Sequence, residues 1–212
     1  LHMEIIDLSD NREVAIEQSV HALLSSEVVI LPTDTVYGIA ALPKFPSAIE
    51  KIFVLKARPL TMDLPLLLSG PEQISETSSF QSSALTALTE AFWPGPLTLI
   101  LPDASHSAER ATNRKRTIAV RCPDHDFVRE VASRTGPIAS TSANIHGQPT
   151  PATLIEIASD FTMVPLGIDD GECDHGLAST ILDLTKDKPE VIREGPVDKE
   201  MISKVMQERL GH

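Results

Sequence analysis

Leu31-Pro32-Thr33-Asp34-Thr35-Val36-Tyr37-Gly38 is the stretch on which the fold of this chain turns. The preceding run, Val28 to Pro32, is apolar or β-branched and leads straight into a polar turn carrying Thr33, Asp34 and Thr35. That is the pattern of a buried strand whose end delivers hydroxyls and one carboxylate to a surface. Gly38 then lets the backbone come close to a neighbour or a ligand. An ordinary Asx/Thr turn would use the same residues, so a functional reading depends on the segments that follow.

Outward from this stretch, helices and strands interleave. Residues 12–25 carry Val14, Ile16, Val20, Leu23 and Leu24 at near-helical spacing, with Asp10 or Asn11 as N-cap. Residues 46–55 read as a second helix that feeds into Lys56-Ala57-Arg58-Pro59, where the proline stops it. An apolar strand at 64–68 ends at Ser69-Gly70-Pro71. A helix at 82–92 is halted by Trp93-Pro94-Gly95-Pro96, a strand follows at 97–101, and 103–116 reads as an exposed loop. Further strands are predicted at 117–121, 138–141, 163–168, 180–184 and 191–193, with helices at 126–133, near 151–158 and at 198–209. The expected class is α/β with a mixed sheet, as a single domain over 1–212 whose core spans about 12–197. Leu1-His2 ahead of Met3 reads as a remnant of cloning.

The 212 residues are 42% hydrophobic, enough for one sizeable core. No apolar run approaches the roughly 20 residues that span a bilayer, and no secretion signal is apparent. Cys122 and Cys173 form no metal-binding spacing, so a reducing, cytoplasmic setting is expected. The net charge of −12 and 4% aromatic content argue against a surface built to bind nucleic acid. Any phosphate ligand must therefore meet a local basic cavity, which makes the positions of the few arginines informative.

Several polar segments qualify. Lys56 and Arg58 place two cations just past a helix end, suited to a polyanion or simply to the helix dipole. Ser140, Thr141, Ser142 and Asn144 gather hydroxyls and an amide at a strand end, where ligands of α/β sheets often sit. Arg121 and Arg193 also stand at strand ends. His106, His125, His146 and His175 lie in separate polar loops without metal-ligand spacing, and are expected to be solvated. Asp169-Asp170-Gly171-Glu172 lacks the ligand spacing of a calcium loop and reads as a solvated acidic turn. Arg114-Lys115-Arg116 is a short basic run that fits an exposed loop or a lip attracting phosphates. Neither a P-loop nor a dinucleotide fingerprint is present.

Taken in series, Pro32-Thr-Asp-Thr-Val-Tyr-Gly38, Lys56-x-Arg58-Pro59, Phe92-Trp-Pro-Gly-Pro-Leu-Thr98, Thr117-Ile-Ala-Val-Arg121, Ser140-Thr-Ser-Ala-Asn144, Gly176-x-x-Ser-Thr180-Ile-x-Asp183 and Arg193-x-Gly195 resemble the YrdC/Sua5 family. The resemblance implies a twisted α/β sheet around a large, positively lined cavity. It also implies an activity: threonylcarbamoyl-AMP synthesis from L-threonine, bicarbonate and ATP, for the N6-threonylcarbamoyl-adenosine modification of tRNA. By match to the family signature, Lys56, Arg58, Ser142 and Asn144 would hold ATP phosphates, with Lys56 and Arg58 acting in catalysis. Thr117, Thr150 and Arg193 would add nucleotide contacts. Thr35, Arg121, Ser140 and Thr180 would form the threonine pocket, with Arg121 on the carboxylate. No metal-binding residues are implied, and Mg²⁺ would arrive with the nucleotide. A downstream threonylcarbamoyl transferase complex would be a partner, and contact with tRNA or double-stranded RNA is a further expectation. Leu67 stands where many relatives carry histidine, and His146 where serine is commoner. The chain resembles the short, single-domain form. Two other readings are a double-stranded RNA-binding protein of the same fold, and a paralogue acting on another carbamoyl-type substrate.

Overall fold

A computed structural model describes residues 3–57, 64–102, 117–173 and 178–210. In chain order the elements are β1 (Glu4–Asp7), α1 (Arg12–Leu24), β2 (Val29–Leu31), β3 (Gly38–Ala41), α2 (Pro46–Leu55), β4 (Leu66–Leu67), α3 (Ser83–Phe92), β5 (Leu97–Pro102), β6 (Thr117–Arg121), α4 (Asp126–Thr135), β7 (Ile138–Ser142), α5 (Leu154–Asp160), β8 (Leu166–Asp169), β9 (Thr180–Asp183), β10 (Glu190–Arg193) and α6 (Lys199–Leu210). A 3₁₀ turn (Pro71–Glu76) joins β4 to α3. The expected 103–116 loop, with Arg114-Lys115-Arg116, lies outside the described residues, as do Arg58, His106 and His175.

Local chemistry sets the helix boundaries. Asn11 caps α1 by accepting from the Val14 amide, Ser82 caps α3 through the Leu85 amide, and Thr153 with Glu156 closes a capping box on α5. Pro46 opens α2, where its missing N–H costs nothing. Gly136 ends α4 in the left-handed region at φ 87°.

The strands form one ten-stranded sheet in the order β1-β8-β2-β3-β7-β4-β6-β5-β9-β10. The pairs β1/β8, β2/β8, β4/β6 and β5/β9 are parallel and the others antiparallel. Period-two alternation divides each strand between two faces. Val29, Leu31, Ala40 and Leu42 pack against Ala15, Ile16 and Leu23 of α1 and Phe127, Val128 and Val131 of α4. Their alternates Ile30, Ile39 and Ala41 join the opposite core, with Ile49, Ile52 and Phe53 of α2, Leu88 of α3 and Ile157 of α5. Each fully buried phenylalanine or isoleucine contributes about 1.5–3 kcal/mol, so these two clusters dominate the stability of the fold.

Tyr37 ties the loop after β2 to the end of β8. Its side chain is fully buried, and its hydroxyl donates toward Gly171 O (2.7 Å) and Asp169 Oδ1 (3.2 Å) while accepting from the Asp170 amide (3.0 Å). Burial holds its phenol well above the ordinary range. The 169–172 segment is exposed at 170–172, as the sequence suggested, and its backbone is also the docking point for Tyr37. Tyr37→Phe should lower unfolding free energy by about 1–3 kcal/mol, because Gly171 O and the Asp170 amide lose their partner. Urea denaturation followed by fluorescence or circular dichroism would measure the loss.

Candidate functional site

Over part of the sheet one face carries no helix. On β5, Leu97, Leu99 and Leu101 point into the core, and on β6 Ile118 and Val120 do the same. Their alternates Thr98, Ile100, Ala119 and Arg121 line a cavity of about 320 Å³. Ser140 and Ser142 from β7 and Leu67 from β4 extend its wall, and Thr33 and Thr35 form one lip. Gly38 sits where a Cβ would come within 2.4 Å of Ser140 Oγ, so a side chain there would push that hydroxyl from its present position on the wall.

The turn named at the outset builds the first half of the site. Thr33 Oγ1 accepts from the Thr35 and Val36 amides (both 3.2 Å) and donates to Val36 O (2.6 Å). This self-closed turn presents Thr35 and Asp34 to Arg121, whose Nη2 donates to Thr35 Oγ1 at 3.2 Å and pairs with Asp34 Oδ1 at 3.1 Å. Arg121 is only 5% exposed, yet among the described residues its Nη1 has no hydrogen-bond partner. Desolvation lowers its pKa, Asp34 opposes that, and the neighbouring Arg193 adds to it. An arginine nevertheless stays protonated. The buried charge is half satisfied, and its free edge needs an anion.

Arg193 reaches the same cavity from the sheet edge. A β-bulge in β10 pairs Val191 with Leu182 but Arg193 with Ile181. Leu182 faces the core and Ile181 the cavity. Regular pairing would set Ile192 opposite Ile181; the extra residue puts Arg193 there instead and leaves Ile192 exposed. Gly195 makes the approach feasible, since a Cβ there would lie 2.4 Å from Ala178 O and 2.5 Å from the Thr180 amide.

Lys56, expected as a free phosphate-binding cation, is 2% exposed. Its Nζ donates to Ser142 O, to Asn144 O (2.6 Å) and to Asn144 Oδ1 (3.0 Å), and its own carbonyl accepts from the His146 amide at 2.8 Å. Asn144 continues the network, accepting from Ser142 Oγ at 2.5 Å and donating to Ile145 O and Gln148 O. Lys56 and Asn144 thus fix the 142–148 loop. Ala57, the next residue, adopts φ 50°, a left-handed conformation that costs a non-glycine residue about 1–2 kcal/mol. Such strain persists only where the surroundings enforce it.

The remaining expectations divide. Thr35, Arg121, Ser140, Ser142 and Arg193 all line the cavity. Thr180 does not: its hydroxyl is fully buried, donates to Val197 O at 2.7 Å and accepts from the Val197 amide at 3.1 Å. It straps β9 to the segment after β10, so its part in the site is to hold that segment. Thr117, at the start of β6, and Thr150, in the loop before α5, are half-buried and outside the cavity lining. His125 is largely enclosed rather than solvated, with Nε2 3.0 Å from Asp170 Oδ2. His146 is exposed, as expected. Cys122 is a buried free thiol, pushed up to about 11 by desolvation. Thr98 and Ser179 line the cavity without having been singled out as ligands. Alternation in Leu97-Thr98-Leu99 could have flagged Thr98, whereas Ser179 has no such signal.

Fold and cavity define an α/β protein with a half-satisfied arginine at the floor of an anion-accepting cleft. A family model described as telomere recombination, covering Sua5, YciO and YrdC, matches residues 21–195, and the chain belongs to this family. It is 34% identical over 207 residues to a threonylcarbamoyl-AMP synthase of Bacillus subtilis, covering 96% of this chain and 60% of that one. It is 36% identical over 184 residues to a threonylcarbamoyl-AMP synthase of Pyrococcus abyssi, covering 86% of this chain and 54% of that one. The chain thus spans a little over half the length of these two relatives. The structure of P. abyssi Sua5 complexed with L-threonine superimposes with a TM-score of 0.91 at 33% identity, covering 98% of this chain and 62% of that one. Escherichia coli YciO gives 0.83 at 25% identity, covering 95% and 98%.

Replacing Lys56 with Met should leave Ser142 O and Asn144 O without the ammonium and Asn144 Oδ1 with Ser142 Oγ alone, destabilising the loop by about 2 kcal/mol or more. Amide hydrogen exchange should then speed up at 142–148 while β2 and β6 keep their protection.

Proposed function

We propose that the protein is an L-threonylcarbamoyl-AMP synthase, joining L-threonine, bicarbonate and ATP with release of pyrophosphate. The unpartnered Nη1 of buried Arg121 carries this reading. A carboxylate on that edge would complete the guanidinium and balance a charge that Asp34 offsets only in part. Thr35, Ser140 and Leu67 line the same wall, so hydroxyl and apolar surfaces are both at hand for an amino acid with a branched, hydroxylated side chain. The names of the relatives and the threonine complex of P. abyssi Sua5 support the choice of substrate.

The chemistry needs no nucleophilic side chain. The neutral threonine amine attacks the carbon of bicarbonate and water leaves, giving the N-carboxylate. One carbamate oxygen then attacks the α-phosphorus of ATP, forming the mixed anhydride as the bond to pyrophosphate breaks. Charge builds on the phosphates throughout, so the protein acts by positioning and charge stabilisation. Arg58 and Arg193 would supply cations to the phosphates, Ser142 and Asn144 would face them from the loop that Lys56 holds, and Thr117 and Thr150 would border the nucleotide. Among the described residues no group of three His, Cys, Asp or Glu is arranged to bind a metal. Mg²⁺ would arrive with the nucleotide on phosphate oxygens and water, where it would neutralise phosphate charge. The product would pass to a tRNA-modifying transferase.

Incubation with ATP, Mg²⁺, bicarbonate and L-threonine should release pyrophosphate, with L-serine as the weaker control; no threonine-dependent release would overturn the proposal. Arg121→Ala should raise the KM for threonine about 10- to 100-fold, the worth of a charge-assisted contact, and leave the KM for ATP within about twofold. Equal increases for both would remove Arg121 from the carboxylate. Arg58→Ala should depress pyrophosphate release with the fold intact by circular dichroism.

A further inference from the structure

The cavity holds a second polar corner that the carboxylate anchor does not use. Thr98 Oγ1 and Ser179 Oγ lie 2.7 Å apart on adjacent strands, and the two residues are only 3% and 8% exposed. Arg193 grips Ser179 from the rim: Nε and Nη2 donate to its carbonyl at 3.0 and 2.9 Å, and Nη2 also reaches its Oγ at 3.3 Å.

Counting protons shows what this corner lacks. A guanidinium only donates, so Ser179 Oγ is the acceptor toward Arg193. Thr98 and Ser179 bring two hydroxyl protons to a single mutual hydrogen bond. Whichever way that bond runs, one proton is left with no acceptor among the described residues. Buried donors without acceptors are rare because they are costly. Among the described residues no acidic side chain lines the cavity, so their wall offers donors to whatever enters.

We infer that the hydroxyls of Thr98 and Ser179, the latter held in place by Arg193, form an oxyanion subsite, separate from the Arg121 anchor, that takes bicarbonate and then the carbamate made from it. The placement follows from the sheet. β5 lies between β6, which carries Arg121, and β9, which follows Ser179. Neighbouring strands are about 4.8 Å apart, so the subsite lies one or two strand spacings from the anchor. That is the reach from an amino acid's carboxylate, through its amine, to a one-carbon unit. The bulge in β10 serves the same end, since it presents a cation and not Ile192 beside the two hydroxyls.

This subsite rests on the proposed synthase reading, and its test separates the two. Thr98→Val keeps the volume and removes the hydroxyl. It should raise the half-saturating bicarbonate concentration about tenfold, with threonine and ATP values within about twofold, and Thr98→Ser should restore it. Ser179→Ala should act in the same direction. A rise confined to ATP would transfer the corner to a nucleotide phosphate and overturn the bicarbonate assignment. No change, or equal rises for all three substrates, would overturn the subsite altogether. Thermal stabilisation by bicarbonate, against chloride at equal ionic strength, provides a readout without turnover. It should be present in the unaltered protein and lost in Thr98→Val. If the unaltered protein makes no pyrophosphate, the synthase reading falls, while this stabilisation still decides the subsite: its absence would refute it.

Discussion

A buried guanidinium satisfied on one edge only is the constraint around which this molecule is arranged. Taking Arg121 out of water is expensive, and Asp34 and Thr35 return part of that cost through contacts at 3.1 and 3.2 Å. Those contacts exist because Thr33 closes the turn after β2 on itself, and because Tyr37 fixes that turn to the end of β8. A surface arginine could swing to meet any anion. One held in this way selects by geometry.

The cleft follows from an uneven distribution of helices. Where α1 and α4 lie on the sheet, alternate residues are aliphatic and packed; further along β6, β5 and β9 the same face carries Thr98, Arg121 and Ile181 and is left open. Strand alternation therefore does two jobs, building a core on one side and a polar wall on the other. Among the described residues the acidic excess of the chain does not reach this wall: Arg121 and Arg193 line it, and Asp34 pairs with Arg121. Lys56 works one layer back, shaping the loop between cavity and solvent.

Much of this was legible in the residues. Segments with strong punctuation, such as Pro46 to Leu55 and Thr117 to Arg121, have the predicted boundaries. β3 escaped because Gly-Ile-Ala-Ala has little strand preference of its own and is held by β2 and β7 on either side. β1 escaped as a short edge strand bounded by Glu4 and Asp7. At the site, the residue types pointed to the right region, but burial could not be read. Nothing near Lys56 announces that its ammonium is turned inward, and nothing near Thr180 announces that Val197 folds back onto it. The Thr98–Ser179 pair joins positions 81 residues apart, a distance over which local pattern carries no information.

The bulge in β10 has a consequence for how such a protein can change over time. Facing direction along a strand is a matter of parity, so the identity of the group at the cleft's outer edge depends on residue count more than on residue choice. Regular pairing of β10 at its present length would exchange a cation for a hydrocarbon at the mouth without altering a single residue. Length changes in the exposed hairpin turn at 185–189 leave that parity untouched. What keeps the cation at the cleft is the register between Val191 and Arg193.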